Sequence, residues 1–230
     1  GFRNTASGDS SVALGNYNYA TGDATIALGK ENWAQEGSSI AIGYKNHAAG
    51  AGSVALGQEN IAWGTTNFTS GHQNVAGDVN AGVGTAGSAT AMGTGTKASG
   101  RSSFSANNTT TASNHASAAL GLSTTADNFG MLAIGVNNLV GAGDTTIDAD
   151  NYGGYYYADG EYTGTPVGVA FVIGNGDVNS TNGLAGSNPS NAFIVNYDGS
   201  ATLSGELTID SDARLKSNII SLGSTLAKLL

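Results

Sequence analysis

The chain has 230 residues, of which 36 are Gly and 11% are charged, with a net charge of −9. Leu, Ile, Val and Phe together make up about 19%, too little for a wide globular core, which leaves disorder or a thin repetitive structure. Eight Lys and Arg exclude a basic nucleic-acid footprint, no apolar run approaches the ~18 residues of a membrane span, and the lack of Cys excludes disulfides and thiolate sites. The chain begins at Gly1 with neither Met nor a signal peptide, so it is expected to be a fragment of a longer protein.

Repeats fill the first half. Ser10-Ser11-Val12-Ala13-Leu14-Gly15 returns as Ala24-Thr25-Ile26-Ala27-Leu28-Gly29, Ser38-Ser39-Ile40-Ala41-Ile42-Gly43 and Gly52-Ser53-Val54-Ala55-Leu56-Gly57. The glycines at 15, 29, 43 and 57 are 14 apart, and Gly71 holds the fifth slot. The series resumes at Gly93, Asn107, Gly121 and Gly135. A second motif, Ala6-Ser7-Gly8, recurs in the same frame at Ala20, Ala48, Ala98, Ala112 and Ala126. Both motifs place an eight-residue insertion at about 77–87.

Fourteen residues fit two short strands and two turns, one coil of a β-roll, because Gly, Asn, Ser and Asp accept the tight turns between them. Val12-Ala13-Leu14 alternates large, small, large, the period of a strand. Nine coils stacked at about 4.8 Å make a rod of roughly 40 Å. Val12 and Leu14 are expected inside the roll. Ala13, Ala27, Ala41 and Ala55 are expected outside, as a small-residue strip through which copies pack side by side. About two large side chains per coil are then enough for a core.

Over roughly residues 1–135 these motifs resemble the left-handed parallel β-roll heads of trimeric autotransporter adhesins, the YadA-like heads. The resemblance implies a homotrimer with an adhesive extracellular role. It names no ligand.

The period breaks after 143. Residues 144–210 read as a Tyr-rich insertion and a β-rich neck. Tyr152, Tyr155, Tyr156, Tyr157 and Tyr162 are five of the nine tyrosines. A tyrosine offers a flat apolar face with a polar tip, and loops inserted in a rigid scaffold are where recognition sits. These five are the candidate receptor contacts, for a host cell-surface glycan or protein. The competing reading is an aromatic plug at the base of the roll. The surrounding Asp residues lack EF-hand spacing, so no metal and no cofactor is expected. From Val167 the chain reads as strands, with Asp198-Gly199 as a hairpin turn before Ala201–Leu203.

Ser211-Asp212-Ala213-Arg214-Leu215-Lys216-Ser217-Asn218-Ile219 resembles the opening of the intramolecular chaperone domain of endosialidases and phage tail spikes. The resemblance implies self-cleavage between Asp210 and Ser211, with Ser211 as nucleophile and Lys216 as its partner. A Ser hydroxyl needs such a base. The alternative is Ser211 as a helix N-cap and Lys216 as a solvated charge. Leu215, Ile219, Leu222, Leu226 and Leu229 are spaced 4, 3, 4, 3, the seam of a short coiled coil over 211–230.

Other chemistry is sparse. His47, His72 and His115 fall in different repeat frames and are expected on the surface or in turns. Trp33 and Trp63 are expected in exposed turns, as a second candidate for ligand contact. Carboxylate pairs are few in the roll, which disfavours glycosidase chemistry. The sequence therefore predicts an all-β homotrimeric fibre segment, not an enzyme, working by adhesion or receptor binding. It would sit on a virion tail fibre or a cell-surface filament. The C-terminal motif favours the phage fibre, the repeats alone an autotransporter-type head. A purely structural spacer is the rival from another class, and a depolymerase or an ice-binding solenoid stand further off.

Overall fold

The computed structural model describes residues 1–77, 87–139, 168–181 and 183–206. The described residues form strands and turns with no helix. Each coil contributes one five-residue and one two-residue strand. The long strands run from Val12–Asn16, Ile26–Lys30 and Ile40–Tyr44 to Leu132–Val136, nine in all. The short ones run from Thr5–Ala6, Tyr19–Ala20 and Trp33–Ala34 to Thr125–Ala126, also nine. Every strand pairs in parallel with its copy one coil away, as Val12↔Ile26 and Tyr19↔Trp33. The result is a parallel β-solenoid with a 14-residue coil. Ile61-Ala62 pairs with Val75-Ala76 in the ordinary step, but Ala76 pairs with Ala98 and Phe68 with Thr90. The register thus absorbs the insertion without disturbing either sheet.

The facing of the long strands is the reverse of the sequence expectation. Ala27, Ala41, Ala55, Ala91 and Ala133 are fully buried, whereas Val12 is 48% and Leu14 62% exposed. Alternation fixes which residues share a face but not which face is inside. Space decides that: the interior of so short a coil is filled by Ala20, Ala34 and Ala48 from the short strands meeting Ala27, Ala41 and Ala55 from the long ones. Two facing rows of Leu and Val would not fit between them. The alanines are the core, and no alanine strip is left for packing copies.

A polar ladder closes one side of this core. Asn18, Asn32, Asn46, Asn60 and Asn74 are buried and 14 apart. In each step the Oδ1 of one Asn accepts from the backbone N–H and the Nδ2 of the next, as Asn32 to Asn46 at 3.1 and 3.0 Å. The same Nδ2 of Asn46 reaches the Ile42 carbonyl at 3.0 Å and the Gly57 carbonyl at 2.7 Å. One side chain thereby pairs buried backbone groups in its own coil and the next, where an unpaired group would cost about 1–3 kcal/mol. After the insertion Thr takes over: Thr96 donates its hydroxyl to Asn74 Oδ1 at 2.7 Å. On the opposite side Ser11, Thr25, Ser53 and Ser103 each donate a hydroxyl to the carbonyl three residues back, at 2.6–2.7 Å.

Both turns of every coil use the left-handed region. Ser10, Tyr17, Ala24, Glu31, Ser38, Lys45, Gly52, Glu59, Thr66 and Gln73 all have positive φ, a step of seven. Non-Gly residues there cost roughly 1 kcal/mol each. The repeated glycine of the motif has a different reason. Gly43 has φ +122, and a Cβ on it would lie on the Gly57 carbonyl oxygen of the next coil.

At the far end Val169–Asn175 adds a tenth parallel rung, Leu132↔Phe171 and Gly135↔Gly174. Val172 stands in the alanine column there and is buried. Asn191–Asn196 and Ala201–Leu203 then continue the sheet antiparallel. The hairpin at Asp198-Gly199 forms as the sequence predicts, with a longer loop: the Asn196 N–H donates to the Ser200 carbonyl at 2.9 Å. The segment 144–165, the helix expected over 211–230 and most of the insertion lie outside the described residues.

Cutting the ladder should be costly: Asn46→Ala strands carbonyls of Ile42 and Gly57 and the Asn60 N–H, and should lower stability by about 3 kcal/mol or more in chemical unfolding. Relieving a turn should do the opposite, with Ala24→Gly raising stability by about 0.5–1 kcal/mol.

Candidate binding surfaces

Two outward surfaces follow from this arrangement. The first is the long-strand sheet. With Ala inside, the large residues of the repeat face out in two columns. One runs Val12, Ile26, Ile40, Val54, Phe68 and the other Leu14, Leu28, Ile42, Leu56. Val12, Leu14, Ile42, Met92 and Phe104 are all at least 36% exposed. No charged side chain interrupts either column over the nine coils. Ser70 and Thr90 are their polar members; over the first four coils the strip is apolar throughout, and a strip of this kind marks an interaction surface on an isolated protein.

The second is a row of rings on the short-strand sheet. Tyr19, Trp33 and His47 occupy one column in successive coils, and Trp63 stands just past Ile61–Ala62. Trp33 and His47 stack with centroids 4.9 Å apart and planes at 14°. Tyr19 lies 6.3 Å from Trp33, and Trp63 meets His47 edge-on at 5.9 Å. The His47 Nε2 lies 3.1 Å from Gln35 Oε1. Trp33 is therefore a strand residue and Trp63 a half-buried one, where the sequence placed both in exposed turns. His47 is half-buried within the row rather than at the surface, and burial holds its pKa below the usual 6.5.

A third cluster borders the row at the adjoining turn. Arg3 lies over the rings of Phe2 and Tyr17, at 5.2 and 5.5 Å, and its Nη1 donates to the Tyr17 hydroxyl at 3.1 Å. Lys30 and Lys45 lie over Tyr44 at 5.4 and 5.1 Å. Glu31 reaches both lysines, at 3.3 and 3.9 Å. Exposed pairs of this sort contribute little to stability. They hold three of the rod's cations on rings, and the two lysines also against Glu31.

At the base of the rod Asp177 is the hub of a small polar cluster. Its Oδ1 accepts from the Asn188 N–H at 2.8 Å and its Oδ2 from Asn188 Nδ2 at 2.9 Å. The Tyr197 hydroxyl donates to the Phe129 carbonyl at 2.6 Å, tying the hairpin to the last coil. Among the described residues no group of three His, Asp or Glu side chains is placed to hold a metal ion. The sequence candidates Tyr152, Tyr155, Tyr156, Tyr157, Tyr162, Ser211 and Lys216 lie outside the described residues.

Sequence reasoning missed the ring row because its column mixes Tyr, Trp and His. The signal was present: the three are 14 apart, in the frame of the alanines that follow each of them.

Residues 5–32 and 34–60 match the YadA head domain repeat, in two copies. The first four coils are thus similar to YadA head repeats. The matched stretches lie in the first four coils, with their Asn ladder, their apolar columns and Tyr19 and His47 of the ring row, while Trp33 falls between the two copies and Trp63 beyond them. No curated protein matches the chain.

Burial of His47 has a pH consequence. Its folded pKa is lowered, so the unfolded chain binds the proton more tightly, and its contribution is fully present above the unfolded value of 6.5 and declines as pH falls below it. His115, lowered by burial and by Arg101, acts in the same direction, whereas burial raises Asp127 and works against both. Comparison with His47→Val, which copies Val75 of the same column, isolates the effect. Between about pH 7.5 and 5 the variant should lose less stability than the wild type in thermal unfolding.

Proposed function

We propose that this chain is a segment of an extracellular trimeric fibre that works by adhesion. The observation that supports this most is the uncharged apolar strip of the long-strand sheet, in a solenoid whose first four coils are similar to YadA head repeats. YadA head domains form trimers and are exposed on the cell surface. Three copies facing their strips toward a common axis would bury Leu14, Leu28, Ile42 and Leu56, each worth about 1.5–3 kcal/mol when fully removed from water. The interface is heterologous and closes as a ring, which limits assembly to a defined size.

The role is one of binding rather than catalysis. Tyr152, Tyr155, Tyr156, Tyr157 and Tyr162 remain proposed receptor contacts, for a glycan or protein on a host surface. The resemblance of Ser211–Ile219 to phage tail-spike chaperone domains favours a phage fibre as the setting, and the repeats favour an autotransporter-type adhesin. A product ending at Asp210, seen by intact mass spectrometry of the longer protein and lost in Ser211→Ala, would support the phage setting.

Analytical ultracentrifugation tests the assembly. The wild type should sediment with three times the chain mass, and Leu28→Asp combined with Leu56→Asp should convert it to monomer. A monomeric wild type would sink the proposal.

A further inference from the structure

The ring row is not explained by the fold. Thr5, Lys97, Thr111 and Thr125 hold the same column in other coils, so the column places no demand for a ring. Yet Tyr19, Trp33 and His47 follow one another and Trp63 extends them, and the centroid distances make a row of about 17 Å. Tyr19 and Trp33 are 43% and 46% exposed. Both tryptophans of the chain are in this row.

The charges around the row select its partner. Asp23 and Glu36 are exposed in the turn on one side, and Glu31 and Glu59 lie in the turn on the other. Lys45 of that turn and Lys30 at its edge are both engaged with Glu31 and the Tyr44 ring. His47, with its pKa lowered by burial, adds no positive charge to the row at neutral pH. Elsewhere on this rod three cations lie over rings: Arg3 over Phe2 and Tyr17, Lys30 and Lys45 over Tyr44. Among the described residues no Lys or Arg lies over Tyr19 or Trp33. Ring faces and edges with Asp23 and Glu36 on one flank, on a chain of net charge −9, attract and hold a cationic side chain.

We propose that the row Tyr19, Trp33, His47 and Trp63 docks an extended Lys- or Arg-bearing peptide segment of a partner protein. At about 3.3 Å per residue the row matches some five residues of extended chain. This rests on the apolar long-strand face, and not the short-strand sheet, being the one covered by copies.

Intrinsic fluorescence reads the row directly, since no tryptophan lies elsewhere. Titrating the full chain with hexa-arginine should change the emission saturably, and raising the salt should weaken binding. Trp33→Thr, which copies Thr5, Thr111 and Thr125 of the same column, should weaken it by about tenfold when read by calorimetry. The variant should keep the wild-type sedimentation mass and melting profile. Undiminished binding to Trp33→Thr would overturn the proposal, since charge alone would then suffice. So would absence of hexa-arginine binding, or saturable binding of maltohexaose in its place, which would make the row a glycan platform. Tryptophans shielded from acrylamide in the trimer would show instead that copies cover this sheet, and would count against the orientation of the assembly as well.

Discussion

The narrowness of a fourteen-residue coil governs the rest of the molecule. Its interior holds Ala from two facing strands, Asn or Thr at one turn and Ser or Thr at the other. Methyl groups bury little apolar area, so the hydrophobic term that stabilises a globule is small here. Hydrogen bonding replaces it. The parallel ladders pair most backbone groups along each sheet, and the buried Asn side chains pair those that the turns would leave open. An Asn suits that place because its amide both donates and accepts, and each coil must present the same face upward and downward. The pattern is self-propagating: any coil with Asn, two Ala and a small hydroxyl residue in frame fits on any other. Such a stack behaves as a one-dimensional chain of nearest-neighbour contacts.

How much of this was legible in the sequence depends on what kind of constraint each residue answers. The glycine column and the alanine motif repeat by identity, so the 14-residue period, the two strands per coil and the eight-residue offset could be read directly. The facing could not, because Val12-Ala13-Leu14 alternates equally well with either side inward. General experience that large apolar residues go inside favours the wrong choice, and only the width of the coil reverses it. The Asn ladder was visible as Asn18, Asn32, Asn46, Asn60 and Asn74, but Asn also reads as a turn residue, and nothing local distinguishes the two roles. The left-handed residues at every seventh position were hidden more deeply. Ser, Tyr, Ala, Glu and Lys share no chemistry; only their backbone does.

The same separation of constraints divides structure from function on the surface. Columns that point inward admit Ala, Ser, Thr or Asn and little else. Columns that point outward are free, and what fills them reports on something other than the stability of one coil. The two outward columns of the long strands stay uncharged and mostly apolar across the described coils, with Ser70 and Thr90 their polar members, whereas the short-strand column passes from Thr through rings and aliphatics to Lys and back to Thr. A surface that is kept uniform along a rod fits a partner that is itself uniform along the rod, and another copy of the same solenoid is such a partner. A surface that changes from coil to coil fits a local ligand.

This assigns the large apolar residues a role different from the one composition suggests. Leu14, Leu28, Ile42 and Leu56 are a scarce resource in a chain with so few of their kind, and a single copy leaves them facing water. Turned toward other copies they would form the wide hydrophobic core that no single coil can enclose. Lys30, at the end of its strand, and Glu31, Lys45 and Glu59 of the adjoining turn sit beyond the edge of this strip. They can remain solvated when it closes, so association does not require burying an ion, whose desolvation would oppose it. In the proposed assembly the thin rod and its trimer would be one solution to one problem: backbone hydrogen bonds hold each coil to the next, and the hydrophobic effect would act between chains instead of within them.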